Sequence, residues 1–174
     1  MKIVGVTGTK GKTTTCYLIY YLLSAFGKKV GLLTSIGAKI GQREYQTGYH
    51  VTTPDVISLN RLLKEMVMAG CQYAVIEVSS HGIDQKRIAG IKFDIGVLTN
   101  IASEHLDYHK TLTEYKKVKL SFIKSTKIQI IGKKKTKIDI LPGKFNNLNA
   151  QLAIDTVKAL GVILAVVEAV VLKV

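Results

Sequence analysis

The chain has 174 residues, 47% of them hydrophobic and 21% charged, and a formal net charge of +13. This length fits one soluble globular domain, and no run approaches the ~18 apolar residues that a membrane-spanning helix needs, so the sequence excludes such a helix. The excess of lysine and arginine favours a polyanionic ligand, either a nucleotide or a nucleic acid.

The first 45 residues predict two strands, a helix and a hairpin. Residues 2–6 form a short apolar run followed by a glycine-containing loop, and residues 13–26 carry apolar side chains at helical spacing. Residues 29–34 predict a second buried strand, and residues 36–45, which two glycines interrupt, predict a small hairpin.

The middle of the chain predicts a helix and two buried strands. Thr53 precedes a proline and is expected to be the N-cap of the helix, with Pro54 at its first position and Gly70 at its end. Residues 73–80 and 93–100 are rich in Val and Ile and end in polar residues, which is typical of central strands in a parallel sheet.

The rest of the chain continues the alternation of strands and helices. Residues 111–123 predict a basic helix, residues 128–131 a short strand and residues 146–160 another helix, while the apolar residues 163–174 allow either a strand or a last helix. We therefore expect one doubly wound α/β domain with a mostly parallel sheet flanked by helices, whose ligands bind at the carboxyl ends of the strands.

The stretch VTGTKGKTTT, residues 6–15, predicts a phosphate-binding loop between the first strand and the first helix. Gly8 and Gly11 allow a close backbone approach, and the N–H groups at the start of the helix point at a bound anion. Lys12 can reach the terminal phosphates, and the hydroxyl of Thr13 can bind Mg²⁺. The alternative is a glycine turn capped by a lysine.

The loop departs from the usual G-x-x-x-x-G-K-[ST] pattern, because Val6 occupies the first glycine position and Gly5 lies one residue too early. The form T-G-T-x-G-K-T resembles that of the Mur ligase family, ATP-dependent enzymes that add amino acids to peptidoglycan precursors. Further motifs of that family follow in family order: TTPD at 52–55, EVSSHGIDQKR at 77–87, TNIASEHLDYH at 99–109 and EYKKVK at 114–119. Within the family, they most resemble the enzymes that add the third amino acid of the stem peptide. The resemblance covers residues 3–123 and 143–154.

Glu77 and His105 are candidate metal ligands. Glu77 ends a predicted strand, so its carboxylate can share Mg²⁺ with Thr13; the alternative is a structural, paired glutamate. Taken alone, His105 indicates a surface or hydrogen-bonded histidine, whereas the resemblance implies a ligand of a second Mg²⁺. His81 and His109 are expected only to form hydrogen bonds in their loops.

Lys119 lies four residues after Tyr115, on the same face of the predicted helix. Taken alone, it indicates a solvated lysine. The resemblance implies a lysine carbamylated by CO₂, which turns a cation into an anion that helps to hold Mg²⁺. The catalytic residues that the resemblance implies are Lys12, Glu77, His105 and Lys119.

The resemblance also implies two sets of ligand-binding residues. Those expected to bind ATP are Gly8, Thr9, Lys10, Gly11, Lys12, Thr13, Thr14, Asn146 and Asn149, with Phe145 where the family has a histidine near the adenine. Those expected to bind UDP-N-acetylmuramoyl-dipeptide are Thr52, Thr53, Ser79, Gln85 and Arg87. As bare residues, members of the second set could equally cap helices.

The implied reaction couples ATP to amide formation on UDP-N-acetylmuramoyl-L-alanyl-D-glutamate. The substrate carboxylate attacks the γ-phosphate to give an acyl phosphate, and the amine of an amino acid then displaces phosphate. Lys12 and two magnesium ions spread the charge on the transferred phosphoryl group.

The family's enzymes have three domains, and this chain is expected to be the central one alone, shortened between about 124 and 142. That shortening removes strands expected at one side of the sheet and can expose an edge. Three functions remain open: a ligase core, which is either an excised domain or a reduced form that works with other chains; a non-catalytic Mg-nucleotide-binding module; and, far behind, a nucleic-acid binder.

Three smaller features bear on location and partners. The residues MKIVGV run directly into Lys10 and Lys12 without a cleavage site, so we expect no secretory signal and a cytoplasmic protein. Cys16 and Cys71 are expected to be buried, reduced thiols. The basic run at 132–137 has no aromatic residue to stack on a base, which indicates a solvated loop.

Overall fold

A seven-stranded sheet forms the centre of the fold in the computed structural model, which describes residues 1–45, 52–102, 111–132 and 146–162. The strands are β1 (Lys2–Thr7), β2 (Val30–Leu33), β3 (Ala38–Ile40), β4 (Arg43–Tyr45), β5 (Tyr73–Glu77), β6 (Ile95–Leu98) and β7 (Ile128–Ile131). Their order in the sheet is β4-β3-β2-β5-β1-β6-β7. Neighbours from β2 to β7 are parallel, whereas β2, β3 and β4 pair antiparallel.

Helices cover both faces of the sheet. They are α1 (Lys12–Ala25), α2 (Val56–Met68), the short α3 (Ser80–Asp84), α4 (Leu112–Lys124) and α5 (Asn146–Ala159). One core joins α1 and α5 to alternate residues of the central strands, such as Val4 and Val6 of β1. The other joins α2 and α4 to the opposite face, including Ala74 and Ile76 of β5. The doubly wound α/β fold expected from the sequence is confirmed.

The strands are apolar along nearly their whole length because each central strand is covered on both faces. Every residue of β2 and β6 is buried, as are four of the five residues of β5. The predicted strands and the hairpin at 36–45 are present, with ends that differ by up to three residues. Residues 163–174, for which the sequence left strand and helix open, lie outside the described residues.

The predicted N-cap of α2 is wrong. The helix starts at Val56, and Asp55 is its N-cap, since the Asp55 side chain accepts hydrogen bonds from the N–H groups of Ile57 and Ser58, both at 3.0 Å. The side chain of Thr53 instead contacts the end of β5. A carboxylate that accepts two of the unpaired N–H groups of the first turn satisfies the helix end better than the hydroxyl two residues earlier.

Strand β7 lies at one end of the described sheet, and it is the most exposed strand there apart from the hairpin. Ile128 and Ile131 are 42% and 39% exposed. The exposed edge expected from a shortening after α4 stays a prediction, because residues 133–145 lie outside the described residues. Among the described residues, no helix is long and apolar enough to cross a membrane.

Candidate nucleotide-binding site

The loop between β1 and α1 has the backbone geometry of a phosphate-binding loop. Gly8 has φ +148° and Gly11 has φ +81°, values that side chains rarely adopt. A Cβ atom at Gly11 would lie 2.3 Å from Oδ1 of Asn149, so α5 packs directly on the loop. Helix α1 then begins at Lys12. The unpaired N–H groups of the first turn of this helix are therefore directed toward the loop.

Two lysine side chains hold carbonyl oxygens of this loop. Lys12 Nζ donates to the carbonyl of Thr9 at 2.9 Å, and Lys119 Nζ donates to the carbonyl of Gly8 at 2.9 Å. Each of these hydrogen bonds holds a loop carbonyl in one orientation. A simple lysine-capped turn involves one lysine, whereas here a second lysine, Lys119, also binds the loop.

The segment after β6 also binds the loop, although no role was predicted for its first residues. The carbonyl of Lys10 accepts from Thr99 Oγ1 at 2.7 Å and from Asn100 Nδ2 at 2.9 Å. The N–H of Lys10 donates to Asn100 Oδ1 at 3.0 Å, and the N–H of Thr9 donates to the carbonyl of Asn100 at 2.9 Å. The signal that could have indicated these residues is their position, because polar residues after a parallel strand lie at the ligand-binding edge.

Glu77 ends β5, beside the start of the loop, and the residue is 2% exposed. Its Oε2 accepts from Thr13 Oγ1 at 2.9 Å, from the N–H of Ser35 at 3.1 Å and from Ser35 Oγ at 3.2 Å. Within the ranges that the structure describes, no lysine or arginine forms an ion pair with it. The structure therefore brings Thr13 and Glu77 together as the sequence predicted.

This cluster suits a hard divalent cation. A carboxylate and two hydroxyl oxygens are the donors that Mg²⁺ prefers, and a buried carboxylate without a cation is costly. Ser35 was missed by the sequence analysis because it follows β2 and lies 42 residues before Glu77 in the chain. Its only signal was a Thr-Ser pair at the carboxyl end of a predicted strand.

The thiol of Cys16 lies close enough to these charges to respond to them. Burial raises the pKa of Cys16 well above its usual value, and the charge of Glu77 raises it further, while Lys12 acts in the opposite direction. Burial likewise raises the pKa of Cys71. Both cysteines are buried and free, as expected from the sequence.

Lys119 is 1% exposed, so the alternative of a solvated lysine is wrong. Its ammonium lies 4.6 Å from the centroid of the Tyr115 ring, and the Tyr115 hydroxyl contacts Thr9 Oγ1 at 3.2 Å. Helix α4 therefore places two side chains, one turn apart, against the phosphate-binding loop.

The residues expected to bind the second substrate meet around Thr53. Its Oγ1 donates to the carbonyl of Glu77 at 3.3 Å and accepts from the N–H of Ser79 at 2.9 Å. The carbonyl of Thr53 accepts from Arg87 at 2.7 Å, and Arg87 also binds the side chain of Gln85. Ser79 in addition caps α3, because its Oγ accepts from the N–H of Gly82 at 3.0 Å.

The remaining predicted residues are less closely assembled. Thr52 is partly buried, Thr14 lies in the first turn of α1, and Asn146 starts α5 one turn before the buried Asn149. His81 lies in α3. His105, His109 and Phe145, and the basic run beyond Gly132, lie outside the described residues, so the predictions for them stay predictions.

The sequence matches the family described as Mur ligase middle domain over residues 6–156. A similar curated protein is UDP-N-acetylmuramoyl-L-alanyl-D-glutamate–2,6-diaminopimelate ligase of Parabacteroides distasonis, which is 49% identical over 122 residues. That match covers 70% of this chain and 25% of the relative, so the chain spans about a quarter of the length of the curated relatives it matches.

Solved structures show the same fold. A structure of a UDP-N-acetylmuramoyl-L-alanyl-D-glutamate–2,6-diaminopimelate ligase aligns with a TM-score of 0.77 at 24% identity, covering 92% of this chain and 44% of that one. MurF ligase from Thermotoga maritima in complex with ADP aligns with a TM-score of 0.59 at 18% identity, covering 92% of this chain and 45% of that one.

Proposed function

This chain belongs to the Mur ligase family, whose middle domain it matches over residues 6–156, and we propose that it is the ATP-binding part of a ligase that acts on UDP-N-acetylmuramoyl-L-alanyl-D-glutamate. The observation that carries the proposal is the 2.9 Å contact between Thr13 in the first turn of α1 and the buried Glu77. It joins a phosphate-binding loop to an oxygen-rich cation site, which is the arrangement that Mg-ATP requires.

ATP is the proposed nucleotide. The N–H groups at the start of α1 bind the β- and γ-phosphates, and Lys12 moves from the carbonyl of Thr9 to a phosphate oxygen when the nucleotide enters. Asn149 packs against Gly11 and, with Asn146, is proposed to lie toward the adenine. The ADP named in the MurF ligase structure supports an adenine nucleotide.

Magnesium is the proposed cofactor. Thr13, Glu77 and Ser35 supply oxygen ligands for one ion, and His105 and a carbamylated Lys119 are proposed for a second. When bound, Mg²⁺ neutralises charge on the phosphate oxygens and so favours attack on the γ-phosphate.

Carbamylation of Lys119 is supported by its surroundings. The side chain is buried at the phosphate-binding loop, where an ammonium ion repels magnesium. Reaction of the neutral amine with CO₂ forms an N–C bond and releases one proton, leaving an anionic carbamate. The remaining N–H of the carbamate can still donate to the carbonyl of Gly8.

The proposed reaction forms an amide. The carboxylate of the muramoyl dipeptide attacks the γ-phosphorus and ADP leaves; the amine of the amino acid then attacks the acyl phosphate, and phosphate and a proton leave. Thr53, Ser79, Gln85 and Arg87, with Thr52, form the proposed contact surface for the dipeptide substrate. Arg87 suits its anionic groups, since a guanidinium can bind a carboxylate or phosphate with two hydrogen bonds. The ATP requirement and the two free thiols support a cytoplasmic location.

A non-catalytic Mg-nucleotide-binding module is the second candidate. It is the less specific candidate, because the matched region covers 25% of the length of the relative and the complete reaction is proposed to involve other ligase domains as well.

Calorimetry with Mg²⁺ and a non-hydrolysable ATP analogue tests the proposal. We expect binding that is lost in Lys12→Ala and retained in Lys64→Ala, a matched control on the exposed face of α2. Release of phosphate from ATP that depends on the muramoyl dipeptide and 2,6-diaminopimelate, the amino acid named for the relative, favours the ligase over the module. Absence of nucleotide binding refutes both, and salt-sensitive binding of nucleic acid unchanged by Lys12→Ala favours the third function.

A further inference from the structure

The side-chain amide of Asn100 forms hydrogen bonds with both the backbone N–H and the backbone C=O of Lys10, in the phosphate-binding loop. The amide accepts from the N–H of Lys10 at 3.0 Å and donates to the carbonyl of the same residue at 2.9 Å. Thr99 Oγ1 donates to that carbonyl as well, at 2.7 Å, and Thr99 is 1% exposed. Both polar groups of Lys10 are thus fixed by side chains that follow β6.

The orientation of the next peptide follows from this arrangement. A trans peptide is planar, so its C=O and N–H groups point in opposite directions. Because the carbonyl of Lys10 points toward Thr99 and Asn100, the N–H of Gly11 must point away from them. The positive φ of Gly11 gives this peptide little resistance to rotation, since glycine tolerates several backbone conformations.

We propose that Asn100 is a positioning residue for phosphate binding, which prevents rotation of the 10–11 peptide and so keeps the N–H of Gly11 directed at the nucleotide phosphates. Rotation of this peptide would present the carbonyl oxygen of Lys10 to the phosphates and repel them. Thr99 assists through its hydroxyl. This role rests on the proposed nucleotide site but adds a residue to which no ligand contact is assigned.

A purely structural role predicts a different pattern of effects. In that case, removal of the Asn100 side chain lowers the stability of the fold and leaves the affinity of the folded protein for nucleotide unchanged. A positioning role lowers affinity in a protein that remains folded. Thr99 offers a conservative rescue, because serine keeps the hydroxyl that valine lacks.

The first measurement is amide hydrogen exchange in the nucleotide-free, full-length chain. We expect the N–H of Lys10 to be protected in the wild type and to exchange at least tenfold faster in Asn100→Ala. The second is calorimetry with Mg²⁺ and a non-hydrolysable ATP analogue. Asn100→Ala removes both hydrogen bonds and should weaken binding about thirtyfold, whereas Asn100→Asp, which loses only the bond donated to the Lys10 carbonyl, should weaken it about fivefold.

Controls separate this role from general damage to the fold. Asn60 on α2 also bonds a backbone carbonyl, that of Val56 at 2.8 Å, and Asn60→Ala should bind nucleotide as the wild type does. Thr99→Val should weaken binding and Thr99→Ser should restore it, and this pair decides the question if the Asn100 variants fail to fold.

Two results would overturn the inference alone: equal exchange of the Lys10 N–H in the wild type and Asn100→Ala, or affinities within twofold of the wild type in the Asn100 and Thr99 variants. Absence of nucleotide binding by the wild type would instead overturn the proposed function, and the positioning role with it.

Discussion

Glu77→Gln should change the response of the protein to magnesium far more than its stability without it. The substitution keeps the shape of the side chain and removes one negative charge. Without metal, three hydrogen bonds to Oε2 from Thr13 and Ser35 become neutral, and each loses about 1 kcal/mol. Glu77 is 2% exposed, so burying its negative charge costs several kcal/mol, and glutamine avoids that cost. This gain offsets most of the loss from the weaker hydrogen bonds, and the free energy of unfolding should change by less than about 2 kcal/mol.

With Mg²⁺ and nucleotide present, the same substitution removes a direct attraction. At an effective dielectric constant near 20, two unit charges 4 Å apart attract by about 4 kcal/mol, so a hundredfold loss of affinity is a conservative expectation. A ligand at 100 times its dissociation constant stabilises the wild type by about 2.7 kcal/mol, which raises the Tm of a domain of this size by about 5 to 11 °C. Glu77→Gln should show almost none of this rise.

Thermal unfolding with and without Mg²⁺ and a non-hydrolysable ATP analogue measures both effects. Glu65→Gln on α2 is the matched control, since this glutamate pairs with the exposed Arg61 and should leave the ligand-induced rise intact. The reasoning is refuted if Glu77→Gln retains the full rise in Tm. It is also refuted if the substitution lowers the free energy of unfolding without metal by well over 3 kcal/mol.

Three further variants or reagents test the fold around the site. Gly5→Ala should lower the free energy of unfolding by about 1 to 3 kcal/mol in urea, because the new Cβ would lie 2.5 Å from Cζ of Phe122; an unchanged midpoint would contradict this packing. Burial raises the pKa of Asp94, but hydrogen bonds from Lys127 and a backbone N–H of β1 outweigh it and leave the pKa below its usual value. Its contribution to stability is therefore present at neutral pH and lost as the pH falls below about 4, so Asp94→Asn should flatten the acid side of a plot of unfolding free energy against pH, and an unaltered plot would count against it. Since burial raises the pKa of Cys16, a thiol reagent at pH 8 should label it in parallel with the unfolded fraction in urea; rapid labelling of the native protein would contradict its burial.

The sequence predicted the fold and the position of the phosphate-binding loop because both depend on local patterns. Apolar runs and helical spacing determine which segments are strands and helices, and a glycine-rich loop between strand and helix has few other uses. These patterns left Gly5 unexplained, since it lies one residue too early for the usual pattern of a phosphate-binding loop. The structure gives it a reason: Gly5 lies under the ring of Phe122, so it serves packing of α4 on β1 and has no part in the loop.

Other features depend on which segments meet and were beyond the sequence. Ser35 and Asn100 act on residues 42 and 90 positions away, and nothing in their immediate neighbours indicates those contacts. Thr53 was assigned to a helix end because it precedes a proline, but Asp55 offers a better cap, which leaves the Thr53 hydroxyl to bind β5. Short-range rules can assign a polar residue to a nearby helix, whereas the competition between two partners is decided by tertiary structure.

The central place of β1 also has a consequence for the synthesis of the protein. This strand pairs with β5 and β6, whose last paired residues are Glu77 and Leu98, so it lacks at least one neighbour while the next 90 or so residues emerge from the ribosome. At about 5 to 20 residues per second, that interval lasts about 5 to 18 s. During it, an apolar strand and an unformed loop must avoid other chains, and no nucleotide can stabilise them. The nascent chain is therefore most open to misfolding, and to help from chaperones, before the site exists.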